Sequence, residues 1–230
     1  MILAVALVPH PPLLLRELGG AQDPVADLRA AVLAAVRAVT AGAEEVVVVG
    51  PAAATGGWDV AEPFDVRRYG ATGERPARRG LPLSLGVGRR VLGEAGWTGP
   101  VELVAVASDA STPDLEALAD RLADRPGRTA LLMLGDGSAS RGEGAPGYLD
   151  ERAFPFDDAL ARSLADGDAT ALLGLDVALA EELVVLGAAT FRLLGAVGVR
   201  TGTTYETAVG FRGDPYGVSY LVATWRLSEG

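Results

Sequence analysis

Glu45-Val46-Val47-Val48-Val49-Gly50 sets four valines in a row, the unbroken apolar run of a strand buried on both faces, as strands of parallel sheets are. Upstream, Ile2–Val8 is a second such run, ended by Pro9-His10-Pro11-Pro12. Between the two, Val25, Leu28, Val32, Val36 and Val39 step by threes and fours and so share one face of a helix. Asp23 is read as its N-cap and Pro24 as its first helical residue, with Gly42 closing it. Downstream, Val101–Ala107 and Arg128–Leu134 read as strands. Helices are predicted at Ser84–Gly96, from a Thr112-Pro113 cap with Leu115, Leu118 and Leu122 on one face, at about Asp157–Asp166, and over Asp176–Val197. Gly217–Trp225 alternates as a closing strand. The stretch from Pro51 to Pro82 has no period and is read as an excursion over a site or an interface. Alternating strands and helices predict an α/β fold: one domain over residues 1–230, a largely parallel sheet, helices on both faces.

Composition narrows the chemistry. The 230 residues carry 20 basic and 30 acidic side chains, a formal charge of −10, and every basic residue is arginine. An acidic chain repels phosphate backbones, so no nucleic-acid partner is expected. The absence of cysteine excludes disulfides, thiolate nucleophiles, zinc fingers and iron–sulfur ligation. His10 is the one histidine, so any metal site has a single imidazole to draw on. No apolar run approaches the roughly 20 residues of a membrane span, and no targeting signal is read; a cytoplasmic protein without a membrane partner is expected. Arg67, Arg68, Arg75, Arg78, Arg79, Arg89 and Arg90 stand against the single acid Glu74, a run that reads as a solvated loop or as a docking surface for an anionic partner.

In open α/β sheets ligands bind beyond the carboxyl ends of the strands, where strand order switches. That rule selects Pro9-His10-Pro11-Pro12 after the first strand, Gly50-Pro51-Ala52-Ala53 after the second, Ser108-Asp109 after the third and Gly135-Asp136-Gly137-Ser138 after the fourth.

A strand ending in Pro-His, a second ending in Gly-Pro and a later one ending in Gly-Asp-x-Ser resemble the class III extradiol dioxygenases, in particular the LigB-type catalytic subunit and its Memo-like relatives. The closing Tyr216-Gly217-Val218-Ser219-Tyr220 resembles the final strand of that superfamily. The resemblance implies a LigB-like domain and a ferrous site of two histidines and an acid that opens catechol-type rings with O₂. His10 stands at the first histidine's position. The second histidine's place is Ala52, and the place of a further, acid–base histidine is Ala139. Glu181, Glu182 and Glu206 are the carboxylates available as the third ligand. The Fe(II) ligand set is therefore incomplete, and no cofactor is assigned; a metal, if one binds, takes His10.

Three functions follow as expectations. The first is a small-molecule binder with a lost iron site, in which His10 and Asp136 are the polar, candidate catalytic groups and Pro51, Ser138 and Glu206 contact the ligand. The second is a metal-dependent dioxygenase or hydrolase using His10 and carboxylates. The third is an interaction protein docking through Arg67–Arg90; a homo-oligomer is open in each. The other readings of these residues are structural: His10 bonded to a backbone carbonyl, Asp136 capping or bracing its loop, Ser138 in a turn, and Trp58, Trp97 and Trp225 as packing groups. No Gly-x-Ser-x-Gly elbow or Walker motif is present. Gly135-Asp136-Gly137 lacks the third glycine of a dinucleotide loop.

Overall fold

The valine run becomes the second strand of a seven-stranded sheet, and its neighbours explain its composition. In the computed structural model, which describes residues 1–20, 23–72 and 80–228, the strands are β1 (Ile2–Val8), β2 (Glu45–Ala52), β3 (Gly56–Trp58), β4 (Val101–Ala107), β5 (Thr129–Leu134), β6 (Tyr205–Gly213) and β7 (Tyr220–Leu227). Their order is β3-β4-β2-β5-β1-β7-β6. The central four are parallel, β2 pairing with β4 and β5, and β5 with β1. The sheet is largely parallel as expected, and β3, β7 and β6 add antiparallel at its two edges.

The helices are α1 (Arg16–Gly19), α2 (Ala26–Thr40), α3 (Leu83–Glu94), α4 (Thr112–Ala123), α5 (Ala153–Asp166), α6 (Ala169–Leu173), α7 (Val177–Glu182) and α8 (Ala188–Thr201). Val46 and Val48 enter the core under α2 and α3, whereas Val47 and Val49 enter the core under α4, α5 and α8. The period-two alternation of a strand thus sends one valine run into both layers, as a two-sided parallel sheet requires.

Several boundaries depart from the sequence reading. The second helix begins at Ala26, not at Pro24; Asp23 accepts the Val25 N–H through Oδ1 (3.2 Å) and pairs with Arg29 through Oδ2 (2.7 Å). The cap of α4 is Ser111 rather than Thr112, in a capping box with Asp114. The predicted Asp176–Val197 helix is two helices, α7 and α8, separated by residues 183–187. The excursion after Pro51 contains the short edge strand β3 and a 3₁₀ turn at Val66–Tyr69. The closing strand starts at Tyr220 instead of Gly217, and β6 was not anticipated. Among the described residues no helix is long and apolar enough to cross a membrane.

The amino-terminal edge of the sheet is closed by charge. Arg125, following α4, donates Nε and Nη2 to both oxygens of Glu45 at 2.8 Å and Nη1 to Glu102 at 2.6 Å, while Thr129 Oγ1 donates to Glu45 at 2.7 Å. These bonds, Arg125's first, hold the Glu45 carboxyl down at about 2. A carboxyl depressed in the folded state stabilises above its unfolded pKa and loses that stabilisation as pH falls through the folded value. Glu45→Gln is therefore expected to cost about 1–2 kcal/mol at pH 7, after allowance for the partial exposure of the pair. Urea unfolding across pH should show the gap to the wild type closing between about 4.5 and about 2.

Candidate functional site

The connections of the parallel strands diverge around β5. β1 and β2 lead to α2 and α3 on one face, and β4 and β5 lead to α4 and α5 on the other. Because β5 lies between β1 and β2, its carboxyl end sits where strands with opposite crossovers adjoin, the place a doubly wound sheet leaves open. His10 follows β1 and Asp136 follows β5, so the fold brings these two predicted residues together.

Their contact is close and buried. The His10 backbone N–H donates to Asp136 Oδ1 at 2.8 Å, and His10 Nδ1 lies 3.3 Å from the same oxygen. The side chains are 5% and 7% exposed. The ring nitrogen is off hydrogen-bond alignment despite its distance, and it is left buried without a hydrogen-bond partner. This differs from the reading in which the imidazole satisfies itself on a carbonyl, and an unpaired buried polar atom costs free energy. Asp136 takes the bracing role, tying the β1 end to the β5 end beside the Gly135 N–H to Val8 carbonyl bond (2.9 Å).

Tyr220 borders the pair. With Ala223 of β7 opposite Leu7 of β1, the antiparallel register carries Tyr220 level with His10. Burial pushes its phenol far above the usual range, and the charge of Asp136 and the nearby Tyr216 add to that.

Ser138 is more than a turn residue. Its backbone N–H and its hydroxyl donate to Asp157 Oδ1 and Oδ2 at 3.0 and 2.6 Å. Asp157, on α5, is wholly buried. Its cation partner is Arg141 (3.3 Å), which also donates to Asp214 (2.8 Å) and lies 4.4 Å over the Phe154 ring. Sequence reading missed this cluster, since nothing marks Asp157 among 30 acids.

A cavity of about 470 Å³ opens at the carboxyl end of β2. Ala52 lines it, with Trp58 on β3, Arg68 and Tyr69 on the 3₁₀ turn, and Leu83 at the start of α3. Pro51 stands at its edge, where its carbonyl accepts from Ser84 Oγ at 2.7 Å. Arg68 makes no ion pair among the described residues. Burial raises the Tyr69 phenol against the lowering pull of Arg68. Trp58 is thus not simply a packing group, unlike Trp225, which is buried in the core. The cavity and the His10–Asp136 pair lie two strand spacings apart, roughly 10 Å.

Other predicted residues are elsewhere. Glu206 is opposite Arg226, which is opposite Ala4, so it sits toward the amino end of β1 and away from His10. Glu182 pairs with Arg152, and Glu181 lines a separate hollow with Ser108 and Asp109. Among the described arginines of the run, Arg67 pairs with Asp65, Arg90 with Glu17, and Arg89 donates to the Val60 and Glu62 carbonyls. Arg75, Arg78, Arg79 and Glu74 lie outside the described residues.

The donor set does not fit the iron that the resemblance implies. Ala52 and Ala139 offer no lone pair, and no group of three or more His, Asp and Glu side chains gathers among the described residues where it could hold a metal. His10 and Asp136 together offer two donors where such a site takes three.

These features define an α/β protein with a mixed seven-stranded sheet and a buried polar pair at its switch point. No family model and no curated protein matches the sequence. Among solved structures it is similar to the uncharacterized protein JW3007 from Escherichia coli K12, with a TM-score of 0.53, 16% identity, and coverage of 96% of this chain and 99% of that one. At that identity the likeness is one of fold.

Removing the buried carboxylate should expose what holds the loop after β5. Asp157→Ala leaves the Ser138 N–H and hydroxyl without their acceptor and takes one of two carboxylates from Arg141, which keeps Asp214, and is expected to cost about 1–3 kcal/mol in equilibrium urea unfolding, as leaving buried donors unsatisfied does.

Proposed function

We propose that this chain is a divergent relative of the LigB-type extradiol dioxygenases that has lost the iron site and binds a small aromatic, anionic molecule at the carboxyl edge of its sheet. The observation that carries the reading is the cavity at Ala52. Where the resemblance puts a metal-ligating imidazole, this chain has a methyl group facing a hollow bordered by Trp58, Tyr69 and Arg68, which makes no ion pair among the described residues.

Such a hollow suits a planar anion. The indole and phenol offer ring faces and edges, contributing about 0.5–1.5 kcal/mol per aromatic contact beyond area burial. The Arg68 guanidinium presents a fork that matches a carboxylate or phosphate. The volume lies within the range of small-molecule sites. Two strands away, His10 and Asp136 supply polar anchors for a substituent that reaches along the edge. No metal takes part in this reading.

The test is calorimetric titration with 3,4-dihydroxybenzoate and with catechol, its uncharged counterpart, with the Trp58 signal as a second readout. Saturable binding of the acid is expected, weakened about tenfold by Arg68→Ala and weaker for catechol in the wild type. No saturation at millimolar ligand would overturn the binding reading. Near-stoichiometric Fe(II) uptake under anaerobic loading, abolished in His10→Ala, would overturn the lost iron site.

A further inference from the structure

Helix α5 presents Arg152, Pro155, Phe156, Ala159, Leu160 and Ser163 at steps of three and one, a single stripe along its length. The stripe meets the next elements at its base, where Leu160 and Leu172 are buried in one core, and at its start, where Arg152 binds Glu182. Between it and α6–α7 lies a groove of about 480 Å³, whose far wall includes Leu172, Leu175, Asp176 and Leu179.

The groove is held open by what each wall is fixed to. On one side, Trp225 Nε1 of β7 donates to the Leu164 carbonyl at 2.8 Å, Thr207 Oγ1 of β6 donates to that of Ala165, and Asp157 is bound to Ser138. On the other, α6 is seated directly on glycines of α8. A methyl at Gly195 would collide with the backbone of Leu173 and Ala169, and one at Gly198 would lie 2.5 Å from Ala169 Cβ. Neither wall can move to close the gap without breaking these contacts, so the apolar surface is a formed site.

Its rim selects the ligand's charge. Arg152, the one cation of the lining, is already occupied: Nε and Nη2 bind Asp150 and Nη1 binds Glu182. A carboxylate head would find no free guanidinium edge and would face Asp150, Asp176 and Glu182. Asp176 Oδ1 caps α7 through the Leu179 N–H, while the groove-lining carboxylate keeps its charge for a cation. We infer that this groove binds a small apolar molecule carrying a protonated amine, its chain along α5 and its ammonium at Asp176. This site is independent of the carboxyl-edge cavity.

Calorimetry with octylamine and octanoate tests it. Octylamine is expected to bind one per chain and at least about tenfold tighter than octanoate. Asp176→Asn, whose amide oxygen can still accept the cap bond, should remove most of that difference. Ala159→Trp, at an exposed position, should fill the groove and abolish binding, whereas Arg68→Ala should leave it unchanged. Equal binding of the two ligands, or octylamine binding that survives Ala159→Trp, overturns the proposal. So does a sedimentation result showing a dimer that Ala159→Trp splits, since the groove's occupant would then be a second copy of this chain.

Discussion

The position of β5 governs the carboxyl edge. It is the last of the four parallel strands in sequence, yet it pairs with both β1 and β2, and its crossover leaves the sheet on the face opposite to theirs. Where crossovers diverge, no helix covers the strand ends, and their backbone groups need other partners. The loop after β5 supplies them. Asp136 accepts the His10 N–H, and its own carbonyl accepts from Gly187, while Gly137 and Ser138 exchange bonds with Ser219. One loop therefore joins the ends of β1, β5 and β7 and the start of α8. Two acids, Asp136 and Asp157, make this junction, and both are buried.

Backbone strain gathers at the same loop. The non-glycine residues with positive φ among those described are Tyr148 (58°), Val184 (56°) and Tyr216 (62°). Tyr148 lies in the loop. Val184 crowds Gly147, and Gly217, next to Tyr216, abuts Ala145 and accepts from the Arg141 N–H. A left-handed residue costs about 1–2 kcal/mol, and a β-branched one such as Val184 is a true outlier. Such conformations persist where surroundings over-determine them and concentrate at functional sites. Here the over-determination is visible: Leu183 O accepts from both Ala139 N and Ser140 Oγ, and Asp157 fixes Ser138 and Arg141. The two strained tyrosines are 75% and 60% exposed, an expense without a packing return, and Tyr216 stands near the buried Tyr220 phenol.

What could be read from the sequence follows what burial writes into it. The parallel strands are buried on both faces, so they appear as unbroken apolar runs, and β4 was placed residue for residue. β6 has a half-buried, exposed alternation along all nine residues and carries Glu206, Thr207, Gly210 and Arg212, so its strand character comes from pairing with β7 rather than from composition. His10 and Asp136 were legible because strand ends and the switch-point rule locate them without knowledge of contacts. Asp157 and Arg68 were not, since one is an ordinary helix acid and the other an ordinary loop arginine until tertiary structure buries the first and leaves the second facing a cavity. Asp23 shows what local rules leave out: it accepts the Val25 N–H as a local pattern suggests, but its pairing with a buried Arg29 that also bonds the Leu13 and Leu14 carbonyls is a tertiary contact.

The two alanines that stand where the resemblance puts histidines are not equivalent. Ala52 borders open space, and an imidazole there would extend into the cavity beside Trp58. Ala139 is 4% exposed, its N–H is bonded to Leu183 and its carbonyl to Gly147 (3.0 and 2.8 Å). An imidazole in its place would have to displace packed neighbours, and overpacking costs about 1–3 kcal/mol. A site that had only lost its ligands would keep room for both rings. In this chain one position borders a hollow and the other lies in the core, in a loop pinned by Asp157. Restoring the histidine at residue 52 would therefore return a donor to the cavity, but restoring one at residue 139 would oppose the packing that now holds Asp136 against His10.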